Sequence, residues 1–253
     1  IKGLITLDDS YNSDERILDH HIIGMLGDLP RFFTEGYKSL VLAVGDNKVR
    51  KEIYDELVSF IPPHEVSMKV KYGDYLYFSE ISSDQQYKTY YREIDGKKEL
   101  VLDVNKLAKD LDYFNVASII PSPNNQYIAY AEDLSGRREY NIRIKNLETG
   151  QIIDESIQRS SGTVVWNQNN DTIYYALKDP VTLIENKVFK HKVGTDTNED
   201  ILIYEEKDTE FHLHIFESRT KKYLNIYSSK TEASETWLLD LDDENSKPFC
   251  VLE

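Results

Sequence analysis

At 253 residues the chain is long enough for one or two domains and a sizeable core. Its formal net charge of −15 argues against a nucleic-acid surface and leaves room for a cationic partner drawn by long-range attraction, although acidity alone also serves solubility. The single cysteine, Cys250, excludes a disulfide within the chain and fits a reducing, cytoplasmic setting, and no apolar run approaches the ~18–20 residues that span a bilayer.

In chain order, Ile1 in place of Met is expected to mark a trimmed piece or a missing start, and Leu4-Ile5 is too short for the apolar part of a secretory signal. Residues 1–67 read as a short helical N-terminal region. Glu15 to Leu26 and Asn47 to Ile61 show helical spacing; in the second, Val49, Ile53, Leu57 and Val58 or Ile61 fall along one face until Pro62-Pro63 end it. Leu40 to Val44 reads equally as a strand or a buried helical turn.

From residue 68 to residue 253 strands dominate. The pattern is clearest over Val116 to Ile153, where four apolar or alternating runs are separated by Pro121, Pro123, Asn124-Asn125, Gly136 and Thr149-Gly150. That is a four-stranded antiparallel meander. It repeats: Tyr72-Gly-Asp-Tyr-Leu-Tyr77, Asn124-Asn-Gln-Tyr-Ile-Ala129, Asn169-Asn-Asp-Thr-Ile-Tyr174 and Thr220-Lys-Lys-Tyr-Leu-Asn225 align as the entrance to a second strand. Their spacing of roughly 45 to 52 residues approaches the ~40–50 of a propeller blade, a unit that must stack on neighbours to bury its faces. The predicted fold is therefore mostly β, an incomplete β-propeller of about four blades: Val70 to Val104, Val116 to Ile153, Thr163 to Tyr204, and His212 to the end. A short helix is expected at Asn105 to Asp110. An open ring exposes unpaired edges, so self-association through them is also expected.

The search for chemistry is largely negative. A Gly-x-Ser-x-Gly nucleophile elbow, a Walker-type loop and His-Glu-x-x-His are all absent from the sequence, and Ser160-Ser161-Gly162 reads as a plain turn. His212 and His214 are spaced to share one strand face, but no third ligand is evident nearby, so they read as ordinary strand histidines and neither metal nor cofactor is expected. Glu205-Glu206 and Asp242-Asp243 are adjacent, which in a strand sends the carboxylates to opposite faces.

The residues carry a family resemblance. Ser122-Pro-Asn-Asn125, Ala131-Glu-Asp133, Gly136-Arg-Arg-Glu-Tyr140 and Arg143-Ile-Lys-Asn-Leu-Glu-Thr-Gly150 resemble the propeller domain of oligopeptidase B. So do Lys178-Asp-Pro-Val-Thr-Leu183, His191-Lys-Val-Gly-Thr-Asp196, Asp200 to Asp208, Ser234-Glu-Thr236 and Pro248-Phe249. The resemblance runs from about Lys48 to Glu253, whereas the N-terminus departs from it: Leu7 to Tyr11 has no counterpart of the family's Asp-Pro-Tyr-x-Trp-Leu-Arg-Asp start.

The resemblance implies a branch of the prolyl oligopeptidase family of serine peptidases, which cleaves short peptides after Arg or Lys. There a seven-bladed propeller lies over an α/β-hydrolase domain and restricts substrate size. It also implies that the Ser-Asp-His triad and the acidic residues selecting basic side chains lie largely in that hydrolase domain, beyond Glu253. No catalytic residue is therefore expected here, and this chain alone is expected to be inactive. Seven blades would need roughly 300 residues or more. The partner implied is the hydrolase domain, with Arg137, Arg138 and Glu139, on the loop joining the second and third strands of the second blade, as candidate interdomain contacts. A different reading is a free-standing or decayed propeller fragment acting as an interaction scaffold.

Overall fold

The computed structural model describes residues 4–6, 16–17, 20–25, 28–35 and 47–252, in two compact units: residues 1–65 with 82–84, and residues 66–81 with 85–253. In the first unit β1 (Leu4–Thr6), β2 (Arg16–Ile17) and β3 (His20–Met25) form a sheet in the order β1-β3-β2, with β1 parallel and β2 antiparallel to β3. This corrects the helical reading of Glu15 to Leu26. Adjacent β-branched Ile22 and Ile23 followed by Gly24 are poor helix formers, and backbone pairing on two sides supplies β3 with the hydrogen bonds a helix would have made.

Helix α1 spans Leu29–Thr34, and Leu40 to Val44 lies outside the described residues. Helix α2, Asn47–Ser59, is the expected amphipathic helix, shorter by two residues. Its Ile53 is buried and Leu57 half-buried, but Val58 and Ile61 are exposed, so the inward stripe is narrower than the spacing suggested. The backbone N–H groups of Phe60 and Ile61 donate to Leu57 and Val58, three residues back, tightening the end of the helix just before Pro62-Pro63. A short strand, β4 (His64–Val66), follows.

The second unit carries four antiparallel meanders. The first consists of β5 (Val70–Tyr72), β6 (Tyr75–Ser82), β7 (Thr89–Ile94) and β8 (Lys97–Asp103), each paired to the next. Asp103 then caps a one-turn helix, α3 (Val104–Leu107), its carboxylate accepting the Lys106 N–H at 3.1 Å. The second meander is β9 (Asn115–Pro121), β10 (Tyr127–Asp133), β11 (Asn141–Asn146) and β12 (Ile152–Asp154). The third is β13 (Ser160–Trp166), β14 (Thr172–Lys178), β15 (Glu185–Lys192) and β16 (Ile201–Glu205). The fourth is β17 (His212–Glu217), β18 (Tyr223–Lys230), β19 (Ala233–Asp240) and β20 (Phe249–Leu252). Ser160 to Gly162 is not a plain turn: it opens β13, with an irregular register up to Val164 and with Ser160 fully buried, its hydroxyl donating to the Tyr140 carbonyl at 2.9 Å.

The sequence repeat is a repeat of structure. In each aligned segment the second residue has a positive φ: Gly73 (60°), Asn125 (59°), Asn170 (66°) and Lys221 (62°). The fourth, Tyr75, Tyr127, Thr172 or Tyr223, is where the second strand begins. Gly and Asn tolerate the left-handed conformation, which is why they mark three of the four turns.

Strand alternation sends neighbouring residues to different cores. Ile128 and Tyr130 of β10 join Val101, Leu102, Val104 and Phe114 between the first two blades, while Ala129 and Ala131 face Trp166, Ile173 and Tyr175 between the second and third. Val165, Tyr174 and Ala176 instead meet Leu213, Ile215, Leu224, Ile226 and Leu239 between the third and fourth. Adjacent Tyr174 and Tyr175 thus serve two different seams, and the second and third sheets are each buried on both faces by stacking. This is the architecture of a partial β-propeller.

Candidate functional site

The first strands of the four blades line a common cleft of about 660 Å³, to which β5 gives Val70 and Tyr72, β9 Ile119 and Ile120, β13 Val164 and Trp166, and β17 Phe216 and Glu217. Each first strand has one edge paired to its second strand. Trp166 is held by its indole N–H, which donates to the Ile120 carbonyl at 3.1 Å, and by stacking on Tyr127. Ser118 donates to the Gly162 carbonyl at 2.6 Å.

Glu217 is the one carboxylate among the described lining residues. Burial pushes its carboxyl up, and Lys221 pulls it partly back. The Lys221 ammonium sits 3.4 Å from the centroid of the Tyr72 ring, a cation–π contact joining the fourth blade to the first. Burial, then the Glu217 charge, pushes the Tyr72 phenol up. The described lining residues include no histidine, so the cleft's serines have no imidazole base beside them.

The loop between β10 and β11 is built around Asp133, whose buried carboxylate accepts the backbone N–H groups of Ser135, Gly136 and Arg138 at 2.8 to 3.0 Å, and the Ser135 hydroxyl at 2.9 Å. Burial works to raise this carboxyl, but the donated hydrogen bonds outweigh it and hold it below the usual range. Gly136 and Arg138 both take positive φ (75° and 59°) to complete the turn. Of the three predicted contact residues, Arg137 and Arg138 are exposed, while Glu139 is half-buried and paired with Arg159 at 3.3 Å. Arg159 lies between β12 and β13, and Tyr140 bridges to Ser160, so this loop and the connection to the next blade emerge at the same end.

His191, of which the sequence motifs gave no separate sign, is fully buried between two carboxylates. Its Nε2 lies 2.8 Å from Asp154 Oδ2 and its Nδ1 2.6 Å from Asp200 Oδ1. The Tyr175 hydroxyl donates to the other Asp200 oxygen at 2.6 Å, and Asp154 also accepts from Ser156 and from the Gly194 N–H. Burial alone would lower the imidazole, but the two carboxylates overcome it and raise it, favouring the imidazolium. Asp154 is held well below the ordinary carboxylate range by the hydrogen bonds it accepts, against the effect of burial. Local spacing cannot reveal this group, because its members lie on three elements of two blades.

His212 and His214 stand on the exposed face of β17, and no cluster of three or more His, Cys, Asp or Glu suited to a metal exists among the described residues. Glu206 accepts the Ser228 hydroxyl at 2.6 Å, while Glu205 pairs with Lys187 at 3.3 Å, so the two adjacent carboxylates are not a working pair. Among the described residues no helix is long and apolar enough to cross a membrane.

Comparison with known proteins agrees with this geometry. The chain is 32% identical over 202 residues to dipeptidyl aminopeptidase BI of Pseudoxanthomonas mexicana, covering 73% of this chain and 28% of that protein. It is 31% identical over 202 residues to Protease 2 of Moraxella lacunata, covering 76% and 29%. The chain thus spans under a third of these relatives' length. Oligopeptidase B from Leishmania major superposes with a TM-score of 0.75 at 29% identity, over 80% of this chain and 30% of that one. In the Trypanosoma brucei enzyme with covalently bound antipain the score is 0.74 at 29% identity, over 82% and 30%. Residues 40–253 match the model of the prolyl oligopeptidase N-terminal β-propeller domain, and the chain belongs to that family.

Proposed function

We propose that this chain is the non-catalytic propeller portion of an oligopeptidase B-like serine peptidase, which cleaves short peptides after Arg or Lys and whose propeller limits substrate size. The observation that carries this reading is the cleft shared by the first strands of all four blades, with no histidine among its described lining residues. A wall of this kind filters a substrate and leaves its cleavage to another domain. The docking face for that domain is the end of the blades carrying Arg137, Arg138 and Glu139, and the single cysteine fits a cytoplasmic setting. The test is hydrolysis of Arg- and Lys-containing reporter peptides by this chain alone and by the intact protein. The chain alone is expected to be inactive and the intact protein active on short peptides but not on folded proteins. Hydrolysis by the chain alone, or indifference of the intact protein to a basic residue, would overturn the proposal.

A second role, as an interaction scaffold, is favoured by the outer edge strand β20, on which Phe249 and Val251 are both about half exposed. Such a surface favours self-association. Light scattering across a concentration series is expected to show oligomers of the isolated chain; a strict monomer throughout would overturn this reading.

A further inference from the structure

The geometry points to Asp154, His191 and Asp200 as a proton-held latch across the seam between the second and third blades, closed while both ring nitrogens of His191 carry protons and released when one is lost. The inference is independent of the peptidase reading. A carboxylate only accepts hydrogen bonds, so an imidazole with an Asp oxygen 2.6 Å from one nitrogen and 2.8 Å from the other satisfies both only as the doubly protonated cation. The ring is wholly excluded from solvent, and the side chains of Asp154 and Asp200 are 3% and 2% exposed, so no water can replace a missing proton. One bond stays within the third blade, from β15 to the head of β16. The other crosses the seam to Asp154, the last residue of β12.

The groups facing the ring are Asp154 from β12, Asp200 at the head of β16 and, through Asp200, the Tyr175 hydroxyl from β14. Ser156 and Gly194 add uncharged donors to Asp154. Among the described residues no second cation shares this array, so removing one proton leaves two carboxylates facing one neutral ring, and one of them against a bare nitrogen lone pair. The remaining proton is expected to stay in the shorter contact, 2.6 Å to Asp200, which leaves the lone pair facing Asp154 at 2.8 Å on the bond that crosses the seam. The sheets on either side keep their own backbone ladders, and the seam is what yields.

The sign follows from linkage. A histidine raised in the fold contributes fully below its unfolded pKa and loses that contribution as pH rises through the raised value. The test is hydrogen exchange normalised to intrinsic rates, with nitrogen NMR of the His191 ring. Between about pH 6 and about pH 10, amides of residues 152–157 and 190–194 are expected to lose about tenfold or more of their protection relative to amides of β18. In His191→Gln these segments are expected to start unprotected and to stay flat with pH. If that variant fails to fold, Asp200→Asn keeps an acceptor for the ring but removes one charge, and it is expected to move the release to lower pH. A neutral ring at about pH 6, a wild-type seam whose protection tracks β18 throughout, or an unmoved release in Asp200→Asn would each overturn the proposal.

Discussion

Gly73 and Asn125 stand so close that a Cβ built on the glycine would lie 2.6 Å from the Asn125 side-chain nitrogen. Both residues hold the left-handed position of their blade's first turn, and the asparagine also accepts the Tyr77 hydroxyl at 2.8 Å, while its backbone carbonyl accepts from Arg92. The first turns are therefore where neighbouring blades are keyed together. The same keying recurs at the next seam, where the Asn170 side chain accepts the Asn124 N–H at 2.8 Å, and at the last, where Gln168 donates to the Lys221 carbonyl at 2.6 Å.

Gly73→Ala combines a strained φ with that displacement of Asn125, and is expected to cost about 1–3 kcal/mol. Urea unfolding of the variant checks it. Gly96→Ala is the control, since at φ 76° it has the same backbone strain and nothing within 4 Å of the added carbon. The excess of the first loss over the second measures the blade-to-blade contact, and equal losses would remove it.

Trp166 is 1% exposed, stacked on Tyr127 and hydrogen-bonded to Ile120 across the second seam. Trp166→Ala is expected to cost about 3–5 kcal/mol, the usual range for a large core truncation. Trp166→Phe keeps most of the volume but removes the indole donor to the Ile120 carbonyl, so a smaller loss of about 1 kcal/mol is expected. Chemical denaturation of both variants separates packing from hydrogen bonding at this seam.

These seams show how far local pattern carries. The repeat was legible because turn chemistry and strand alternation act over a few residues: Asn124-Asn125 and Asn169-Asn170 announce their own turns, and Tyr127, Ala129 and Ala131 their own face. At the N-terminus local spacing does not decide the structure, because β3 is fixed by partners at Leu4–Thr6 and Arg16–Ile17, and the residues from Glu15 to Leu26 do not record who those partners are. His191 was missed for a related reason. Its partners lie 37 and 9 positions away, and one of them belongs to another blade. The loop bearing Arg137, Arg138 and Glu139 emerges beside the connection to the next blade, as a meander's alternating direction requires. The Arg159 partner of Glu139 depends on the next blade's approach, which no local pattern encodes.

Glu217 offers a pH test at the cleft. Burial raises its carboxyl, so its protonated form suits the fold better than its ionised form. The stability this provides is present below the unfolded value and is lost as pH rises through the raised one. Glu217→Gln mimics the protonated group, so it is expected to melt above wild type near neutral pH, with the difference closing as the solution is acidified below about pH 4. Thermal melts at several pH values check this, and a neutral-pH melt below that of wild type would contradict it.

The Glu139–Arg159 pair separates a surface contact from an interdomain one. Arg159 is 65% exposed on its side chain, and exposed pairs contribute about 0–1 kcal/mol, so reversing Glu139 alone is expected to change the stability of this chain by no more than about 1 kcal/mol. In the intact protein the expectation differs. If this end of the blades faces the hydrolase domain, Glu139→Arg brings a cation to a place arranged around an anion, and kcat/KM for Arg-containing peptides is expected to fall by about tenfold or more, the effect of ~1.4 kcal/mol in the transition state. Arg137→Glu and Arg138→Glu on the exposed part of the same loop are expected to act in the same direction more weakly, since they sit outside the half-buried position that Glu139 holds. Stability and activity must be measured on the same preparations, because a fall in both would report loop damage through Asp133. A fall in activity at unchanged stability assigns the loop to the interface, and unchanged activity in all three variants removes it from there.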